Sequence, residues 1–218
     1  MPLRRAAGWP IAEVAAGVGA PAPDEATARA LTIWLDALDD WNDKIDLTAA
    51  KDATALAWLM LADAMMLARA LPKGPLEVID VGTGAGAPGL ALAILRPDAK
   101  IVLCEPLGKR AAFLRTIIGL LRRTDVRLEP VRADKLARGR FDVAISRATL
   151  PPPEWLKVGA GLVRPGGSVW VLLAQEPPPE RRGCVVAETL AYADASTGAQ
   201  KRLVRYLVDG SAAGQEGA

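Results

Sequence analysis

Apolar positions along this chain follow two different periods, and the change between them falls near residue 75. Upstream, PDEATARALTIWLDALDDWNDKIDLTAA carries Leu31, Trp34, Leu35, Leu38 and Trp41 at steps of three and four, which is one buried face of a helix started by Pro23 and Asp24. Asp52 reads as the cap of a second helix, roughly 53–71, rich in Ala, Leu and Met and stopped by Pro72-Lys73-Gly74-Pro75. Downstream, short apolar runs alternate with helical stretches. Strands are expected at 76–81, 100–105, 125–131, 141–146 and 167–174, with helices from the glycine-rich segment to about Leu95, over 108–123 and over 154–163. After the Pro-rich link EPPPERRG, the runs VVAETLAYA and KRLVRYLV read as two final strands that pair as a hairpin.

This alternation predicts βαβ units and a mostly parallel sheet covered on both faces. The expected organisation is one structural domain: an N-terminal arm over 1–22, a helical extension over 23–74, an α/β core over 75–208 and a disordered tail over 209–218. The first residues imitate a secretory signal, but Pro10 and Glu13 interrupt the apolar stretch, which favours a short amphipathic helix or a loose arm. No apolar run approaches the ~20 residues that span a bilayer, so no membrane association is expected.

Composition removes whole classes of chemistry. The chain contains no histidine, which excludes Ser-His-Asp and Cys-His catalysis, HExxH zinc sites and any imidazole base. Two cysteines, Cys104 and Cys184, are too few for a disulfide framework or a cysteine metal site, so a reduced, cytoplasmic protein without a metal is expected. The net charge is only +2, but residues 107–147 hold 11 Lys and Arg against 4 Asp and Glu. Such a basic segment on an otherwise slightly acidic chain attracts phosphate backbones, although a merely solvated basic surface would look the same. Phe113, Leu114, Ile117, Ile118 and Leu121, at helical spacing, are expected in the core rather than stacked on bases, as are Trp34, Trp41 and Trp58.

The chemistry concentrates in VIDVGTGAGAPGLALAI, residues 78–94. GAGAPG over 84–89 satisfies G-x-G-x-x-G between a strand and a helix, and Glu105 ends the next strand about 20 residues on, where an acid would hold ribose hydroxyls. A dinucleotide, S-adenosylmethionine and a purely structural turn all fit that pattern. Asp80, immediately before the turn, tilts the choice. A carboxylate there suits the ammonium and sulfonium of S-adenosylmethionine better than a pyrophosphate, which would seek helix N-terminal amides.

Several motifs in fixed order carry a resemblance: WNDKIDLTA (41–49), IDVGTGAGAPGLALAI (79–94), LGKRAAFLR (107–115), FDVAISRA (141–148) and QKRLV (200–204). Together they resemble the bacterial small-subunit ribosomal RNA guanine-N7 methyltransferases, also called glucose-inhibited division protein B, over about residues 24–208. The resemblance implies a Rossmann-like class I S-adenosylmethionine-dependent methyltransferase fold: a mostly parallel seven-stranded sheet with an N-terminal helical extension. It also implies S-adenosyl-L-methionine as cofactor and ribosomal RNA or the small ribosomal subunit as partner; a monomer is expected.

Carried over residue by residue, the cofactor contacts are Asp80, Gly82, Thr83, Gly84, Gly86, Pro88, Glu105, Ala133, Asp134 and Arg147. Arg147, as substrate positioner, with Ser146 and Asp63 would form the catalytic set, and Lys109, Arg110, Arg132, Lys135, Lys201 and Arg202 would meet RNA. The chain departs from the family pattern on the substrate side. A His-Leu-Leu-Asp-Ser segment is Met60-Leu61-Ala62-Asp63-Ala64 here, a family arginine falls at Asp134, and a lysine ending the fifth strand is Leu173. The same departures would fit a paralogue acting on another RNA or a small molecule, or a non-catalytic binding module.

Overall fold

The computed structural model describes residues 8–209; the first seven residues of the expected arm and the expected tail from 210 onward lie outside the described residues. The elements in chain order are α1 (Ile11–Gly17), α2 (Glu25–Ile45), α3 (Ala53–Ala70), β1 (Glu77–Val81), α4 (Gly89–Leu95), β2 (Lys100–Cys104), α5 (Gly108–Leu120), β3 (Val126–Glu129), β4 (Phe141–Ser146), α6 (Pro152–Leu162), β5 (Val163–Leu173), β6 (Cys184–Ala193) and β7 (Gln200–Val208).

The seven strands form one sheet in the order β3-β2-β1-β4-β5-β7-β6. The first five pair in parallel; β7 then inserts antiparallel beside β5, with β6 antiparallel at the edge. Chain direction reverses between β1, which leads outward to β2 and β3, and β4, which leads to the other half. A crevice therefore opens at the carboxyl ends of β1 and β4, the place where open α/β sheets bind ligands.

Local chemistry fixes the helices. Asp24 caps α2 by accepting from the Thr27 amide at 2.8 Å, and Asp52 caps α3 by accepting from Ala55 at 2.9 Å. The α2 stripe is buried as its period predicts: Leu31, Trp34, Leu35 and Leu38 are fully inaccessible. Trp41, expected on that face, is half-buried and meets the Phe113 ring edge-on at 5.5 Å between centroids. Helix α5 stops at Leu120, short of the expected 123, because Arg122 turns left-handed at φ 51°.

Trp9, Ile11, Val14, Ala15 and Val18 join the same apolar cluster as α2, α3, α4 and one face of the sheet, so the N-terminal segment and the α/β core share one interior. On the other face, α6 packs through Trp155, Leu156 and Ala160 onto Val169 and Val171 of β5. One expectation requires correction. Helix α3 is apolar and long enough by composition to cross a bilayer, contrary to the reading that no run approached that length. Its residues from Met60 to Leu67 are buried inside the protein, and Asp63 among them is hydrogen-bonded there, which identifies a core helix.

A single arginine ties the extension to the core. Arg96, at the end of α4 and 3% exposed, forks onto Asp98 through Nε and Nη2 at 2.7 and 2.8 Å. It also donates to the carbonyls of Ala68, Leu71 and Pro72, at 3.3, 3.2 and 2.6 Å, which are otherwise orphaned at the end of α3. This guanidinium holds the Asp98 carboxyl well below the ordinary carboxylate range. Replacing Arg96 by Ala leaves three carbonyls without this donor and Asp98 with only the Gly74 amide, and is expected to cost about 2–4 kcal/mol, measured as the change in urea unfolding free energy.

Candidate active site

The turn after β1 is built around close approaches that exclude side chains. Gly82, Gly84 and Gly86 all have positive φ, at 70°, 60° and 108°. A Cβ on Gly82 would fall on the Thr149 side chain, and one on Gly89 would lie 2.5 Å from Asp80 Oδ2. By contrast, a Cβ on Gly84 would meet nothing within 4 Å, so this residue bares its backbone to open space. Trp34 Nε1 donates to the Ala85 carbonyl at 3.1 Å, so α2 steadies the turn from behind. Pro88 immediately precedes α4.

Two clefts meet at this turn. The larger, about 620 Å³, is walled by Leu47 to Ala49, Leu59, Met60, the turn residues Gly82 to Ala85, Glu105, Leu107, Arg110 and Arg147. The second, about 390 Å³, runs from Gly82 and Cys104 past Arg132, Ala133 and Asp134 to Glu154 and Val158. Gly82, Pro106 and Thr149 line both. An elongated ligand lying across the carboxyl ends of β1 and β2 would thus find one end at the turn and the other beside 132–134.

Glu105 lies on the wall of the larger cleft, next to the shared Pro106. It is 2% exposed, and its two oxygens accept from Gly84 N and Leu107 N, each at 2.9 Å. A carboxylate keeps lone pairs beyond two such bonds, enough to take vicinal hydroxyls. Thr83 lines the larger cleft, and its buried hydroxyl neighbours the Asp80 carboxyl beneath the turn.

Asp80 is placed otherwise than expected. Instead of facing the cleft to meet a cationic ligand group, it is fully buried beneath the turn, with Oδ2 accepting from Gly89 N at 2.8 Å. It anchors the N-terminus of α4 against the end of β1. Burial pushes its carboxyl up to about 6 from 3.8, against the lowering influence of Thr83 and the Gly89 amide.

The substrate-side residues form a second group. Ser146, expected to be catalytic, is buried and donates its hydroxyl to Val81 O at 2.7 Å; it clamps β4 to β1. Arg147 stands next, on the wall of the larger cleft and of a further cleft of about 470 Å³ lined by Asp63, Thr149, Leu173, Glu176, Lys201 and Arg202. Its Nη1 donates to the Leu59 carbonyl and pairs with Asp63 Oδ2 at 3.3 Å. The other Asp63 oxygen accepts from the Tyr192 hydroxyl at 2.9 Å. Immediately after Arg147, Ala148 is held left-handed at φ 54°, a strained conformation for a residue with a Cβ and of the kind stored at functional sites.

The basic segment is not one patch. Arg123 pairs with Asp125 at 2.5 Å, Arg127 with Glu129 at 3.0 Å and Arg140 with Glu77 at 3.6 Å. Arg123 and Arg140 lie at the amino ends of β3 and β4, the edge opposite the clefts, so they serve the sheet. Arg110, Arg132 and Arg147 line the clefts; Lys109 is exposed in the first turn of α5. Arg132 and Lys135 flank Asp134, each 3.5 Å from it, which halves their joint charge. Lys201 and Arg202 line the cleft of Asp63, and Arg202 Nη2 donates to Glu176 O at 2.6 Å. Sequence reasoning missed Thr149, which closes over Gly82, and Tyr192. Thr149 could have been found by its place directly after the S-R-A motif, whereas a tyrosine in an edge hairpin carries no such signal.

Strand order, the glycine turn at the reversal point and the acid ending β2 together define the Rossmann-like class I fold of S-adenosylmethionine-dependent methyltransferases. The chain belongs to the family described as rRNA small subunit methyltransferase G, which matches residues 27–194. Relatives named Ribosomal RNA small subunit methyltransferase G include one from Chloroflexus aggregans, 36% identical over 152 residues, covering 67% of this chain and 64% of that protein. Another, from Leptothrix cholodnii, is 32% identical and covers 76% and 78%, and one from an Anaeromyxobacter species is 32% identical and covers 83% and 85%. Similar folds include P. horikoshii TYW2 in complex with MeSAdo (TM-score 0.55, 13% identity, 68% and 62% covered). The Burkholderia thailandensis 1,6-didemethyltoxoflavin-N1-methyltransferase with bound S-adenosylhomocysteine is alike to a similar degree (TM-score 0.54, 13% identity, 84% and 87% covered).

Two outcomes follow from this geometry. S-adenosylhomocysteine raises the melting temperature whereas NAD does not, and Gly82→Ala weakens S-adenosylhomocysteine binding more than tenfold by calorimetry, because the new Cβ falls on Thr149 and displaces the turn that lines the cleft. For Asp80, a carboxyl with a pKa of about 6 when folded keeps a proton that the unfolded chain releases near 3.8. Stability therefore falls as pH rises from about 4 to 6, by on the order of 2–3 kcal/mol. Melting curves of the wild type against Asp80→Asn, in which the other carboxylates cancel, measure this difference.

Proposed function

We propose that this chain transfers the methyl group of S-adenosylmethionine to N7 of a guanine in small-subunit ribosomal RNA. The observation that carries the reading is the junction at Gly82 and Arg147. A ligand cradle on the carboxyl edge of β1 and β2 there abuts a basic cleft reaching Lys201 and Arg202. Family membership supports the same reading, because the relatives are named for this reaction class.

Of the chain's own residues, Glu105 offers its carboxylate to ribose hydroxyls, the backbone at Gly82 and Gly84 lets the ligand approach closely, and Ala133 and Asp134 flank the adenine end. Bound there, S-adenosylmethionine supplies an electrophilic methyl group on a sulfonium. Guanine N7 presents a lone pair and carries no proton, so its attack needs no general base, which suits a chain without histidine. Orientation is then the main contribution the protein can make. Arg147 cannot ease the positive charge that grows on the purine; its part is recognition, through guanine O6 or an adjacent phosphate. Lys109, Arg110, Arg132, Lys135, Lys201 and Arg202 would meet the RNA backbone around it. The reading includes a monomer acting in the cytoplasm without a metal.

Incubating the protein with labelled cofactor and small subunits that lack the modification tests the assignment. Label in 7-methylguanosine after digestion to nucleosides is the expected result. Label in another nucleoside, or none in RNA, contradicts it.

A further inference from the structure

We infer that Tyr192 is a positioning residue for the methyl-transfer step, holding Arg147 at the cleft through Asp63. The inference rests on the proposed function, since it assigns Arg147 to the substrate. Three elements distant in sequence meet at the Asp63 carboxylate: Tyr192 on β6 donates to Oδ1 at 2.9 Å, and Arg147, at the end of β4, pairs with Oδ2 at 3.3 Å. Asp63 is 9% exposed and Tyr192 8%, and the hydrogen bond between them is buried, whereas the Arg147 side of the carboxylate faces the cleft.

The tyrosine ring is itself fixed. It lies nearly parallel to Trp58, five residues upstream of Asp63 on α3, with centroids 6.5 Å apart and 25° between planes. Burial and the neighbouring Asp63 carboxylate push its hydroxyl above the ordinary tyrosine range, so it remains a proton donor at every working pH. A carboxylate with one oxygen saturated by a rigid neutral donor offers the other to the guanidinium in a single orientation. Without that donor the carboxylate can rotate, and Arg147 keeps the Leu59 carbonyl as its one other fixed partner among the described residues, too few to set its direction.

The same strand pair bears the basic residues of this cleft. Tyr192 sits opposite Lys201 in the β6–β7 register, with Ala191 opposite Arg202. The hairpin that would grip the RNA backbone thus also sets the arginine that would meet the base, which couples seating of the strand to orientation of the reacting guanine.

The test compares wild type, Tyr192→Phe, Asp63→Asn and the double variant for transfer to undermethylated small subunits, S-adenosylhomocysteine affinity and melting temperature. Tyr192→Phe, which removes one oxygen atom and keeps the ring, is expected to lower kcat at least tenfold while cofactor affinity stays within twofold. The double variant is expected to be no slower than Asp63→Asn alone, because both act through one arginine. Should Tyr192→Phe fold poorly, Asp63→Asn, isosteric and charge-free, still reads the relay through its own kcat and cofactor affinity. Turnover of Tyr192→Phe within twofold of wild type overturns the inference, as do rate losses that multiply in the double variant or that track loss of cofactor binding. Wild type without activity on the subunits would instead sink the proposed function itself, so the two failures are told apart.

Discussion

The carboxylate of Asp63 is the contact on which the substrate side of this molecule depends. It is buried on α3, outside the sheet, yet it holds Arg147 at the end of β4 and Tyr192 on the edge hairpin. Without Arg147 the buried carboxylate would carry an uncompensated charge, and without Tyr192 one of its oxygens would lose its hydrogen-bond donor. The consequence reaches beyond stability. Arg147, which lines the larger cleft and the cleft of Lys201 and Arg202, is held by groups drawn from the helical extension and from the last strands, so the extension is part of the site.

The cofactor side rests on a different constraint, one of space rather than charge. Gly82 and Gly89 sit where a Cβ would collide with Thr149 and with Asp80, and the backbone is thereby drawn close enough to leave Gly84 open to a ligand. Asp80 and Trp34 secure the turn from below and behind. Steric demands of this kind bear on backbone shape and are independent of what the acceptor is.

That division explains what could be read from sequence. The sheet, the two long helices and the terminal hairpin were legible because each shows its period or its cap locally: Leu31, Trp34, Leu35 and Leu38 repeat at helical spacing, and Asp24 and Asp52 mark starts. Glu105 was legible because its distance from the turn follows from one βαβ unit. The role of Asp80 was not, because residue order cannot tell whether a strand-end carboxylate faces the cleft or the helix above it; here Gly89 N claims it. Ser146 was misplaced for the same reason, as alternation along β4 turns its hydroxyl to Val81. Tyr192 was invisible, since its partner lies 129 residues away on another element. The departures Met60, Ala64 and Leu173 are all buried apolar residues, and Met60 and Leu173 form parts of cleft walls.

Under the proposed function, the protein lays a cofactor along the carboxyl edge of its sheet and presents a guanine to it beside Arg147. The most direct measurement is in the cell. A guanine methylated at N7 is opened by borohydride, and aniline then cleaves the RNA strand at that point. Small-subunit RNA from cells making the wild-type chain is predicted to show one scission at a guanine that is absent without the chain and absent with Arg147→Ala. An identical scission pattern with and without the chain would contradict the account.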